Sequence, residues 1–105
     1  MVEIPSEIRS IVENYIQSLE SSRIRIRHAI LFGSRTAGRA DEWSDIDIAI
    51  VSDDFEGIRF KDKEKIRKTT LATSFLLSPL PFKTSDFSDD NPLVRHIKAT
   101  GLTIK

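Results

Sequence analysis

The run Asp45-Ile46-Asp47-Ile48-Ala49-Ile50-Val51 limits what this chain can fold into more than any other stretch. It alternates and is rich in β-branched residues, so the pattern predicts a strand. Residues two apart on a strand share a face. Asp45 and Asp47 therefore project together, with Ile46 and Ile48 on the opposite side. Two carboxylates this close repel, and each raises the other's pKa. A divalent cation between them relieves that conflict. Mg²⁺ fits such a pair, because it is commonly held by one or two carboxylates together with phosphate oxygens and water.

The second half of the pattern lies upstream. Ala29-Ile30-Leu31-Phe32 is a short apolar run that ends in Gly33-Ser34, and ten residues separate Ser34 from Asp45. A glycine after a strand lets the backbone approach a ligand closely. Ser34 can cap a short helix whose free N–H groups suit phosphate. Arg35 and Arg39 are nearby cations for the same anion. A lone Gly-Ser is usually a turn, and a lone Asp-x-Asp is usually a solvated pair. Here one closes a strand and the other opens the next, and the polar segment 36–44 joins them. Trp43 in that segment is read as packing beneath the loop rather than stacking on a base.

Gly33-Ser34, ten residues and then Asp45-Ile46-Asp47 resembles the signature of the DNA polymerase beta superfamily of nucleotidyltransferases. The fuller run from Leu31 to Arg39, with Ser44 to Ala49, looks like its small stand-alone branch, the minimal nucleotidyltransferases. The resemblance is dense over residues 29–51 and weak elsewhere. It implies an α/β (α+β) nucleotidyltransferase fold in which helices pack on a small mixed sheet. It also implies transfer of a nucleoside monophosphate, AMP from ATP, to a hydroxyl. Asp45 and Asp47 would hold Mg²⁺, and Gly33 and Ser34 would cradle the β and γ phosphates. Relatives carry a third acid on a later strand, as metal ligand and base. Asp86 is the candidate here, with two metal ions if it is a ligand. In many relatives the acid falls two residues after a Pro-aromatic-basic triplet. Pro81-Phe82-Lys83 puts Ser85 there, so either a bulge presents Asp86 or the third acid is missing. The resemblance further implies a helical HEPN-type partner, often a toxin ribonuclease, which the chain would adenylylate as its antitoxin. The alternative is a catalytically weak or inactive nucleotide-binding subunit that acts by contact alone.

The rest of the chain reads as scaffold. At 105 residues it is expected to form one domain. Sixteen basic residues balance sixteen acidic ones, which argues against a general nucleic-acid binder, although a tRNA acceptor stays open. The absence of cysteine removes disulfides, thiolate nucleophiles and cysteine zinc sites. The N-terminus lacks the basic start and apolar stretch of a signal peptide, so a cytoplasmic protein is expected. Residues 6–20 predict a helix capped by Ser6, with an apolar stripe from Ile8 to Leu19. Residues 23–32 predict a strand whose Arg23, Arg25 and Arg27 share a solvated face. His28 lies several residues from the Gly-Ser turn and is given no catalytic role. A second helix is expected from Lys61 to about Leu77, stopped by Ser78-Pro79-Leu80-Pro81. Its basic run is read as a solvated face. A short strand over 82–87, a helix from Leu93 to about Thr100 opened by Pro92, and a final strand over 102–104 complete the expectation.

Overall fold

The computed structural model describes residues 4–33 and 44–105. Helix α1 (Ser6–Ser21) comes first, followed by strands β1 (His28–Phe32) and β2 (Ile46–Ser52). Helix α2 (Arg59–Thr73), strand β3 (Leu77–Lys83), helix α3 (Pro92–Thr100) and the short strand β4 (Leu102–Thr103) complete the order. Among the described residues the strands form one mixed sheet in the order β3-β2-β1-β4. β1 runs antiparallel to β2 and to β4, and β2 runs parallel to β3. This is the expected α+β arrangement, a small mixed sheet with helices packed on it. No described helix is long and apolar enough to cross a membrane.

The alternation in β1 and β2 sorts the core into two faces. Ala29, Leu31, Ile46, Ile48 and Ile50 point toward α1 and α2, where they bury against Val12, Tyr15, Ile16, Leu19 and Ile66. Ile30, Ala49 and Val51 point the other way, onto Phe82 and onto Val94 and Ile97 of α3. Each fully buried aliphatic side chain contributes roughly 1.5–3 kcal/mol relative to exposure. Tyr15 ties α1 to α2 through a 2.6 Å hydrogen bond with Thr70. The Thr70 hydroxyl hydrogen is already donated to the Ile66 carbonyl, so Tyr15 is the donor. Burial pushes the Tyr15 phenol up to about 12, partly offset by that hydrogen bond.

Several boundaries differ from the sequence-based expectation, each for a physical reason. The N-cap of α1 is Pro5, and no side chain caps it, so Ser6 begins the helix instead of capping it. β1 starts at His28 rather than Arg23, because Arg23 takes a positive φ of 69° and breaks the extended run. Ile24 and Ile26 are nonetheless buried. Arg25 clasps Asp54 with its guanidinium and backbone N–H, and Arg27 clasps Asp53. The two arginines thus anchor the approach to β1 onto the turn after β2. The largest difference is at residues 74–83. Helix α2 ends at Thr73, and Ser78-Pro79-Leu80-Pro81 is not a helix stop but the body of β3. β3 is an edge strand, where prolines are tolerated because one side of the strand has no ladder to complete.

Candidate functional site

Asp47 is the second residue of β2, and Asp45 lies just ahead of the strand. Asp47 is half-buried and Asp45 exposed. Asp47 pairs with Phe32, the last residue of β1, and this brings Gly33 alongside it. Gly33 has φ +81°, a left-handed conformation that glycine adopts without strain. A Cβ at Gly33 would overlap the Asp47 carboxylate. The chain therefore needs glycine here on two counts, and the turn after β1 presses directly against the carboxylate.

Burial and the charge of Asp45 push the Asp47 carboxyl above its ordinary value, and a hydrogen bond from the Ser78 hydroxyl opposes the shift. Ser78 stands directly opposite Asp47 in the parallel β2–β3 register. The donor set is thus two carboxylates, one of them raised by burial and by its like-charged neighbour, beside Gly33, which carries no side chain of its own. Such a set fits a hard divalent cation, because a cation would relieve the repulsion and take oxygen ligands. No cluster of three or more acidic, histidine or cysteine side chains occurs among the described residues.

Asp86 does not join this site. The expected strand over 82–87 is not formed: β3 starts at Leu77 and closes at Lys83, and Thr84–Asp86 forms a short 3-10 turn beyond it. Lys83 pairs with Ser52, at the opposite end of β2 from Asp47. Five strand positions separate Asp47 from Ser52, a span of about 17 Å at the usual rise. Asp86 instead lies against Gly57, where a Cβ would stand 2.8 Å from Asp86 Oδ2. With Ser85, Arg59 and Lys83 it lines a cleft of about 430 Å³ at that end of the sheet. Neither Ser85 nor Asp86 reaches the acidic pair, and a bulge is not what separates them. The strand begins five residues earlier than expected, so the residue facing Asp47 is Ser78. Ser34, Arg35, Arg39 and Trp43 lie outside the described residues.

Two residues escaped the sequence reading. Ser78 was hidden by the prolines around it, although Ser78, Leu80 and Phe82 fall at the two-residue spacing of a strand. Asp62 sits within the basic run of α2 but is buried, and its carboxylate accepts from the backbone N–H groups of Glu56 and Gly57 at 2.8 and 2.9 Å. It shapes the turn between β2 and α2.

Comparison with known proteins bears on this geometry. The sequence model described as "Polymerase beta, Nucleotidyltransferase" matches residues 13–105. No curated protein matches the chain. The fold is similar to a crystal structure of a candidate nucleotidyltransferase from Sulfolobus solfataricus, with a TM-score of 0.65 and 15% identity. That similarity covers 92% of this chain and 78% of the other. The match extends well past the acidic pair and its glycine turn, through β3 to the end of β4. The chain belongs to the polymerase beta nucleotidyltransferase family.

Proposed function

We propose that the chain binds a nucleoside triphosphate with Mg²⁺ at the Asp45–Asp47 face and transfers the nucleoside monophosphate, AMP from ATP, to a hydroxyl on a partner protein. The observation that supports this is the approach of the glycine turn to the paired carboxylates, in a chain of the nucleotidyltransferase family. Asp45 and Asp47 would hold the cation, which when bound supplies charge neutralisation at the triphosphate. The Gly33 turn leaves room for phosphate beside them. Ser34 would share in cradling the phosphates, and Arg35 or Arg39 would neutralise them. The acceptor hydroxyl oxygen forms its bond to the α-phosphorus as the bond to the bridging oxygen breaks, its proton passes to solvent water, and pyrophosphate leaves. Positioning and charge neutralisation carry most of such a reaction, so it proceeds without a third carboxylate, but slowly. The acceptor is a helical HEPN-type protein, with this chain as its cytoplasmic antitoxin.

Ser78 favours a second reading. With a hydroxyl where Asp47 faces β3, no base stands there among the described residues, and the chain acts as a nucleotide-binding subunit that neutralises its partner by contact. One experiment separates the two. The chain is incubated with Mg²⁺, α-phosphate-labelled ATP and a HEPN-type partner, alongside Asp45→Ala and Asp47→Ala variants. Label on the partner that disappears in both variants supports transfer. Unlabelled partner, neutralised equally by all three proteins, overturns transfer and leaves the contact reading.

A further inference from the structure

Helix α2 exposes two large apolar side chains away from its own core. Phe60 is 73% exposed, Leu71 64% and Phe75, just past the helix, 77%. These are the most exposed large apolar side chains among the described residues, and Phe60 and Leu71 sit on one groove. Its walls are the outer face of α2 and the edge strand β3, with Leu77, Ser78 and Pro79 along the strand side. The groove encloses about 400 Å³. Large exposed apolar side chains gathered on one groove mark an interaction site more often than scattered single residues do.

We propose that this groove docks an acidic amphipathic helix of the protein that receives the nucleotide. Three observations select that occupant. Pro79 and Pro81 lie on the free edge of the sheet and cannot donate backbone hydrogen bonds, so an added strand is disfavoured and docking must proceed through side chains. Phe60 and Leu71 are eleven residues apart on α2, about 16 Å along the axis, a span that four successive anchors of a helix cover. α2 also carries six basic residues against Asp62, which is buried, and Glu64. Lys63 and Arg67 line the groove, and the one acid there, Glu64, lies 3.9 Å from Arg67. A second copy would bring one basic helix against another, whereas an acidic helix meets complementary charge. Ser78 also lines the groove, at the end of β3 that pairs with Asp47, so the groove opens at that end of the sheet. Asp47 itself faces the other side of the sheet, with Ala49 and Val51. Only the identification of the docked protein as the nucleotide acceptor rests on the reading of Asp45 and Asp47 as a nucleotide site.

The test uses the intact chain labelled with ¹⁵N and a synthetic helical peptide with leucines at i, i+4, i+7 and i+11 and glutamates elsewhere. The expected result is saturable binding, with amide shifts confined to α2, Leu77 and Ser78. Phe60→Ser and Leu71→Ser should each weaken binding about tenfold while leaving the melting temperature unchanged, since both side chains are exposed. The same peptide with lysines for glutamates should not bind. Absence of binding, equal binding of the lysine peptide, shifts elsewhere on the surface, preferential binding of oligoadenylate to the groove, or a homodimer closing it would each overturn the proposal. Mg²⁺ and ATP are titrated into the same sample. Shifts at Asp45 and Asp47 without peptide binding refute the groove and leave the nucleotide site standing. Peptide binding without those shifts does the reverse.

Discussion

Ser78 faces Asp47 across the parallel β2–β3 pairing, and its hydroxyl works against the upward shift that burial and Asp45 impose on the Asp47 carboxyl. A neutral donor here steadies one acid without adding a third negative charge. Replacing it tests what the site lacks. Ser78→Asp should lower stability in metal-free buffer, because a third carboxylate joins two that already repel. It should bind Mg²⁺ more tightly and raise the rate of nucleotidyl transfer by about a hundredfold, the low end of what a positioned base contributes. Thermal melts with and without Mg²⁺ and a labelled-ATP transfer assay read both effects. Unchanged Mg²⁺ affinity would show that Ser78 does not face the cation.

Asp47 itself lowers stability in return for the site. Burial and then the Asp45 charge raise its folded-state pKa above the unfolded value. A carboxyl shifted upward contributes stability that is fully present below its unfolded pKa and is lost as pH rises through the folded pKa. Asp47→Asn removes that loss. In EDTA the variant should melt higher than the parent at neutral pH, and the difference should vanish once pH falls below the ordinary carboxylate range. It should also lose Mg²⁺-dependent nucleotide binding, which calorimetry would register. A variant that melts lower at neutral pH would contradict the direction of the shift.

Gly33 should not tolerate alanine. Its left-handed backbone costs an L-residue about 1–2 kcal/mol, and the new Cβ would also collide with Asp47. Denaturant unfolding of Gly33→Ala should show a loss of at least about 1 kcal/mol, and nucleotide affinity should fall further than the stability loss explains. Parent-like stability and affinity together would mean that the turn can swing clear of the carboxylate.

Asp62→Ala should be the costlier change, although it lies away from the acidic pair. It strips the acceptors from the Glu56 and Gly57 N–H groups in a buried position. Hydrogen bonds to charged groups contribute roughly 1.5–3 kcal/mol each, so a loss of about 3 kcal/mol is expected on chemical denaturation. Asp62→Asn keeps one carbonyl acceptor and should lose about half as much.

Much of the site could be read before any fold was known. The two-residue period of 45–51 predicted both carboxylates on one face of a strand; Asp47 lies on β2, and Asp45, just ahead of it, is near enough for its charge to act on Asp47. The apolar stripe of α1 and the Pro92–Gly101 frame of α3 were equally plain, since amphipathic spacing and terminal residues are local signals. The Gly33 turn was legible as a glycine that lets backbone come close, but that it approaches Asp47 follows from the Phe32–Asp47 pairing. What only the tertiary structure decided was the partner of the acidic pair. Prolines at 79 and 81 read locally as a break, yet at a sheet edge their missing N–H groups cost little. The parallel pairing with β2 therefore extends the strand over residues 77–83. That placement moved Asp86 to the far end of the sheet and brought Ser78 to Asp47. Pairing between strands separated by a helix depends on packing across the whole core, and no window of sequence contains it.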